Sequence, residues 1–398
     1  MSKSAVAETR KVQAVPRRLR RFLNLNDFQI HSRRKLPAPI YEYYAGAAED
    51  GASFEANLAC FRDLKLRPRV LVDVSTRTTA ASLFGRSYSL PVGIAPMGLS
   101  GLSTFEGDLV LANAARHEGI PMILSATSLV PLERVAREGG VKWFQAYLPG
   151  ERDRIAAMID RVARAGYETF VLTVDLPVPA NRENNERAGF SIPLRPSPRL
   201  LLDGLTHPDW SIRTFLRTNI GGIAHFENMD AFRGPPILSR DLVRAIGARD
   251  QLNWSHVELI RSLWKGHFVL KGIMSVADAR RARDCGVDGI IISNHGGRQL
   301  DGAASPVMVL PEIAAALDDI VLMVDGGIRR GTDVLKCLAQ GAHFVFVGRP
   351  FLFAAVSGLD GVRHAIQLLA REIDRDMAML GTRNVGEIGP WAIGAQAR

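Results

Sequence analysis

From residue 90 onward, short runs of mainly apolar residues alternate with longer stretches in which apolar residues recur every three or four positions. The runs are Val92–Ala95, Met122–Leu124, Trp143–Ala146, Phe170–Val174, Phe268–Leu270, Gly289–Ile292, Val321–Val324 and Phe344–Val347. The stretches between them include Asp108–His117, Arg152–Ala165, Val276–Cys285 and Thr332–Gln340. A strand with no polar face is buried on both sides, which is the situation of a parallel sheet covered by helices. Eight strand–helix units predict an α/β fold, a closed (β/α)8 barrel of the TIM type. No Gly-x-Gly-x-x-Gly follows the first run, which weighs against an open dinucleotide-binding sheet.

Ahead of the barrel, residues 25–50 read as helices, with Asn26 or Asp27 as the first cap and Pro37 and Pro39 as punctuation. Tyr41, Tyr43 and Tyr44 fall within four residues, so they cannot share one helix face; at least one should point into a site or a core. The fourth and fifth runs are separated by far more than the roughly thirty residues of an average barrel unit. The excess, Arg182–Trp264, is rich in Pro, Gly, Asn and Arg and is expected to be a long loop excursion from the C-terminal face. The predicted organisation is an arm at 1–24, one catalytic domain at 25–390 and a tail at 391–398.

Charge changes this picture at one end only. Residues 1–35 hold ten Lys and Arg against Glu8 and Asp27, nearly the whole formal net charge of +9. The arm is expected to be solvated and disordered. Such an arm can also bind an anionic bilayer, and its Arg-rich, acid-poor composition is shared with organelle transit peptides. Nucleic acid is not an expected partner. Cys60, Cys285 and Cys337 are widely spaced, which argues against a disulfide scaffold and a structural metal site, so no metal is expected. No apolar run is long enough to span a bilayer, and no secretory signal is expected.

In a barrel of this kind the functional groups sit where strands end. Those positions carry Pro96, Met97 and Gly98, then Ser125, Gln145 and Tyr147, then Thr173, Asp175 and Arg182, then Lys271. The sixth run opens into Ser293-Asn294-His295-Gly296-Gly297-Arg298-Gln299-Leu300-Asp301. His295 can move a proton near neutral pH, and Arg298 can hold a carboxylate through paired hydrogen bonds. Taken alone, His-Gly-Gly-Arg is as well explained by a turn with a buried histidine. The last two ends, Asp325-Gly326-Gly327 with Arg329 and Gly348-Arg349, sit where barrels commonly bind phosphate. Lys271 would lie across the mouth, where a cation can stabilise a reduced flavin.

The stretches IYEYYAGAAED, APMGLSG, WFQAYL, LTVDLP, VLKGI, SNHGGRQLD and DGGIRRGTD…VFVGRP, in this order, resemble the FMN-dependent α-hydroxy-acid oxidase and dehydrogenase family from residue 25 to about 390. The resemblance implies an FMN ring against Pro96, Met97, Gly98, Ser125, Gln145, Thr173, Lys271 and Ser293. It implies the flavin phosphate and ribityl chain at Asp325, Gly326, Gly327, Arg329, Gly348 and Arg349. Tyr43, Tyr147, Arg182 and Arg298 would hold a small 2-hydroxy acid, His295 would be the general base, and Asp175 would orient it. The implied reaction is oxidation of an L-2-hydroxy acid, L-lactate first, to the 2-oxo acid. Electrons would pass to a quinone or cytochrome, since no haem domain is expected ahead of the barrel. Gly98 stands where fast oxygen-using members carry alanine, so a dehydrogenase is expected rather than an oxidase that makes hydrogen peroxide. L-Mandelate is an alternative substrate, and a flavin-dependent isomerase or peptide-modifying enzyme a remote alternative activity. The resemblance further implies a homotetramer in the cytoplasm, peripheral on the inner face of the cell membrane.

Overall fold

The computed structural model describes residues 15–191, 198–220, 222–239 and 249–394. A short hairpin, β1 (Ala81–Leu83) and β2 (Arg86–Tyr88), precedes eight strands: β3 (Val92–Ile94), β4 (Ile123–Ser125), β5 (Trp143–Ala146), β6 (Thr169–Thr173), β7 (His267–Ile273), β8 (Gly289–Ile292), β9 (Val321–Asp325) and β10 (Phe344–Val347). The eight are parallel in the order β3-β10-β9-β8-β7-β6-β5-β4. A parallel bridge from Ile94 to Met122, with Ile94 N–H donating to Pro121 O at 2.9 Å, joins the two ends into a (β/α)8 barrel. Each predicted run coincides with one of these strands within a few residues.

The barrel has two apolar layers, as all-apolar strands require. Side chains such as Ile123, Trp143, Val171, Val269, Ile291, Met323, Phe344 and Phe346 fill its axis. Their strand neighbours face outward onto helices, including Gly107–Glu118, Arg152–Arg164, Gly331–Ala339 and the long Gly358–Leu380. The hairpin was not foreseen. It brings Leu83 and Phe84 against the starts of the strands, with Phe84 stacked on His267 at 4.4 Å and beside Trp143 at 5.5 Å. One end of the barrel is thereby plugged with aromatic rings.

The N-terminal segment differs from expectation in two respects. Residues 15–24, assigned above to the arm, are folded: Leu19 and Phe22 are buried, and Phe22 stacks on Phe28 at 4.5 Å. Apolar side chains spaced three apart have simply joined the core; residues 1–14 lie outside the described residues. The first helix, Leu25–Lys35, is capped by Asn24 rather than by Asn26 or Asp27. Asn24 Oδ1 accepts from the N–H groups of Asn26 and Asp27, and Asp27 reaches back to the Asn24 N–H, a reciprocal capping box. At the other end, part of the expected tail is also docked. Leu66 bridges Ile393, and Ala392 is fully buried.

The excursion between β6 and β7 carries short helices at Glu183–Ala188 and Pro198–Thr206, then Trp254–Leu263, which serves as the barrel helix before β7. Trp210 anchors its middle, donating from Nε1 to Leu102 O at 2.7 Å.

Candidate active site

A cavity of about 730 Å³ opens at the C-terminal ends of the strands, opposite the hairpin plug. At its centre is the turn after β8. His295, Gly296 and Gly297 are consecutive residues at positive φ, +58°, +66° and +75°. A Cβ on Gly296 would meet the Arg349 guanidinium at 2.5 Å, and one on Gly297 would meet the Phe54 backbone at 2.5 Å. Only glycine fits both the angles and the space. His295 accepts the strained backbone because its amide donates to Ser293 Oγ at 3.0 Å.

His295 Nδ1 lies 2.9 Å from Asp175 Oδ1, and Nε2 faces the cavity 3.4 Å from Tyr147 Oη. Burial holds the His295 pKa below its ordinary value, opposed by the Asp175 carboxylate and assisted by Lys271. The imidazole is therefore neutral at pH 7, with Nε2 free to accept a proton when Nδ1 donates to Asp175. Burial raises the Asp175 carboxyl, but His295 and Lys271 outweigh it and the group stays ionised. Asp175 can approach because residue 272 is glycine at φ +107°; a Cβ there would lie 2.6 Å from Asp175 Cβ. Gly272 falls in the VLKGI stretch at the end of the fifth run, but nothing in the sequence pattern placed it against Asp175. The Tyr147 phenol is pushed up to about 12 by burial, so it stays protonated and can donate.

Across the mouth, Lys271 Nζ donates to Ser293 Oγ at 2.8 Å and pairs with Asp325 Oδ2 at 3.2 Å. Burial pulls the Lys271 pKa down, and Asp325 and Asp175 more than offset it, so the ammonium is charged. Arg298 donates to the carbonyls of Tyr43, Tyr44 and Gly46 at 2.7–3.2 Å. Those bonds hold the helix Ala38–Ala45 over the site, and they leave part of the guanidinium free. Burial, with Arg182 nearby, lowers Arg298 to about 9. Arg182 is fixed by the Arg298 carbonyl at 3.2 Å and by Gln299 Oε1 at 2.7 Å. Tyr43 lines the cavity and stacks on Phe190 at 4.4 Å; Tyr44 is buried but also reaches the cavity wall, whereas Tyr41 is buried away from it.

The turns after β9 and β10 form the opposite wall. Gly326 and Gly327 take φ of +105° and +79°, and a Cβ on Gly327 would lie 2.1 Å from Asn57 O. Asn57 is itself locked in a reciprocal amide pair with Asn294, at 2.8 and 2.9 Å. Arg329 and Arg349 both line this wall. Arg349 donates to the Gly296 carbonyl and lies over the Phe54 ring at 4.5 Å. Neither forms an ion pair with a carboxylate among the described residues. Burial lowers Arg329 to about 10, opposed by Asp333, and burial together with the like charges of Arg329 and Arg298 pulls Arg349 well below its ordinary value. Two buried guanidiniums facing positive-φ glycine turns call for an anion such as phosphate.

The remaining wall is Pro96, Met97 and Gly98, with Thr173 and Gly348. A Cβ on Gly98 would fall 2.1 Å from Thr127 Oγ1, so the two residues share one space. Ser125, Gln145, Asp175 and Ser293 lie behind the cavity surface. Ser125 Oγ donates to Gln145 Oε1 at 3.1 Å. Gln145 Nε2 and Thr173 Oγ1 are buried polar atoms with no partner among the described residues. Such atoms are rare and costly, and both belong to strands that end at the cavity. A flavin ring, with its carbonyl and ring-nitrogen edge, supplies partners of the right kind, and the arginine-backed turns suit its phosphate. Sequence reasoning missed Asn57, Phe190 and Arg249; the last comes from the excursion, where no strand end marks a position.

Fold and cavity together define a flavin-dependent oxidoreductase built on a barrel. The chain belongs to the FMN-dependent dehydrogenase family, which matches residues 32–395, and FMN is its cofactor. It is 38% identical to the L-lactate dehydrogenase of Ectopseudomonas mendocina over 91% of this chain and 96% of that one. Against the L-lactate dehydrogenase of Pseudomonas aeruginosa PAO1 the identity is 37%, over 91% and 95%. Among solved structures, the monotopic membrane protein (S)-mandelate dehydrogenase superposes with a TM-score of 0.88 at 34% identity, covering 94% of this chain and 99% of that one. A mandelate oxidase superposes at 0.78, with 35% identity over 94% and 98%.

The direction of the His295 shift carries a pH expectation. A base must be neutral to act, so kcat/KM should be full above its pKa and fall tenfold per pH unit below it. The acid limb should lie below pH 6.5. In Asp175→Asn, which removes the charge that raises His295, the limb should move to still lower pH. A pH profile with the limb moved upward would contradict the assignment.

Proposed function

We propose that the enzyme oxidises an L-2-hydroxy acid to the 2-oxo acid with His295 as the general base. L-lactate, named for the relatives above, is the reference substrate. The observation that carries this reading is His295, neutral, tied through Nδ1 to Asp175 and presenting Nε2 to the cavity beside Tyr147. Arg298, Arg182 and Tyr43 bind the substrate carboxylate and fix which hydrogen faces the ring. Tyr147 donates to the substrate hydroxyl oxygen, and His295 takes up the proton released as the C–O bond becomes a carbonyl. Asp175 stabilises the resulting imidazolium. Bound FMN would supply the acceptor for the hydrogen on the substrate's α-carbon together with the two electrons. Lys271, charged and paired with Asp325, sits where it offsets negative charge that accumulates on that side of the mouth. Electrons then leave to a quinone or cytochrome. The deciding experiment is anaerobic mixing of the yellow protein with L-lactate, L-mandelate and glycolate. Loss of flavin absorbance with at least one L-acid and not with its D-isomer is expected; an unchanged spectrum with every acid overturns the reading.

Among the described residues no helix is long and apolar enough to cross a membrane. The excursion nevertheless exposes Leu201, Leu202, Leu205, Ile212, Leu216 and Ile220, next to Arg213 and Arg217. Apolar side chains beside cations suit the interface of an anionic bilayer. We infer peripheral membrane attachment through this segment. Sedimentation with phosphatidylglycerol-containing vesicles should be strong for the native chain and weak for Leu205→Glu/Leu216→Glu, with flavin bleaching unchanged. Equal sedimentation of both would remove the segment from that role.

A further inference from the structure

Arg249 stands near the far end of the excursion, a few residues before Trp254–Leu263, and lines the same cavity as His295. It is 9% exposed. Its guanidinium lies over the face of the Tyr147 ring, 4.6 Å from the centroid. Among the described residues the guanidinium makes no hydrogen bond and no ion pair.

Every other cation of the cavity already has an engagement. Lys271 is held by Asp325 and Ser293. Arg298 and Arg182 are fixed by carbonyl and amide oxygens. Arg329 and Arg349 face the glycine turns. Among the described residues of the cavity, Arg249 alone keeps its full set of donors while buried, and a desolvated guanidinium without acceptors is costly. The ring face of Tyr147 offsets only part of that cost. Burial pushes Arg249 down from its ordinary pKa, opposed by Tyr147. Among the described residues Arg249 thus shares none of the acceptors that fix Arg182 and Arg298. It marks a second anion position, reached across the Tyr147 ring.

We propose that Arg249 binds a second carboxylate on the substrate, so that the enzyme prefers 2-hydroxy acids with an acidic side chain to L-lactate. This rests on the function proposed above and adds the substrate class. With the first carboxylate at Arg298 and Arg182 and the hydroxyl at Tyr147 and His295, the side chain of the acid runs over Tyr147 toward Arg249. A methyl group leaves the guanidinium unpaired; a carboxylate supplies charge-assisted hydrogen bonds in a site that excludes water.

The test compares anaerobic flavin bleaching by L-lactate, L-malate and (S)-2-hydroxyglutarate in the native holoenzyme and in Arg249→Gln. At least one diacid should exceed L-lactate in kcat/KM by tenfold or more. Arg249→Gln should lower that diacid by about 10–100-fold, the worth of a charged hydrogen-bonded contact, and change L-lactate by less than about threefold. A second readout needs no turnover: titration of oxidised holoenzyme with 2-oxoglutarate and with pyruvate, followed by the flavin spectrum. Arg249→Gln should weaken 2-oxoglutarate alone. Diacids no better than L-lactate in the native enzyme, or a variant that slows all three acids alike, overturn the proposal. Failure of all three acids to bleach bound FMN overturns the underlying function instead.

Discussion

His295→Ala lowers turnover of the best substrate by about 10²–10⁴-fold, the usual contribution of a positioned general base, while FMN remains bound. Two features of the site set this size. The Nε2 atom is the acceptor presented beside Tyr147, and Lys271 is held charged by its ion pair with Asp325, so it cannot serve in its place. Removing the imidazole also leaves Asp175 buried without its partner, and its unpaired Oδ2 gains a second orphan oxygen. Part of the loss therefore comes from a carboxylate that is driven toward protonation. Position 295 sits at φ +58°, which alanine tolerates poorly and asparagine well. His295→Asn is accordingly the cleaner variant: it should match the native protein in melting temperature and flavin content and match His295→Ala in rate. Turnover within tenfold of native in both variants would reassign the base.

Gly327→Ala is expected to weaken FMN binding more than any other single change at this turn. At φ +79° an alanine strains the backbone by about 1–2 kcal/mol. Its Cβ also falls 2.1 Å from the Asn57 carbonyl, a backbone atom with no rotamer to escape into. Relief requires moving the helix Ala52–Asp63 or the turn itself, an overpacking cost of about 1–3 kcal/mol. If both are felt by the binding-competent turn, FMN affinity drops by roughly two to three orders of magnitude. Gly326→Ala separates the two effects. Its φ is +105°, but its nearest neighbours stand at 3.5 Å, so it bears strain without collision. The expected order of flavin retained after gel filtration is native, then Gly326→Ala, then Gly327→Ala. Stoichiometric FMN in Gly327→Ala would show that this turn is not the phosphate cradle.

The barrel was readable because parallel strands covered on both faces leave an unmistakable record, uninterrupted apolar runs such as Phe344–Val347. The rim positions followed from where those runs stop. The hairpin at Ala81–Tyr88 left no such record: its strands are three residues long, and their side chains are mostly exposed or half-buried. Residues 15–24 were assigned to an arm because their charge drew attention from Leu19 and Phe22, the residues that decide their placement. In the site, the residues carrying chemistry were legible and those making room for it were not. Gly272 matters only through its distance to Asp175, and Asn57 only through its closeness to Gly327. Both arise from contacts between segments far apart in the chain. Arg249 belongs to the same class, since its partner Tyr147 lies about a hundred residues earlier.

The aromatic plug formed by Phe84, Trp143 and His267 has a consequence for how specificity can change over evolutionary time. With the barrel sealed below, a bulkier substrate has nowhere to grow except outward, toward Phe190, Arg249 and the rest of the excursion. The strand ends are then free to conserve one chemistry while the excursion is exchanged like an adaptor. A chimera that swaps this segment should inherit the donor's substrate range without disturbing the machinery beneath it.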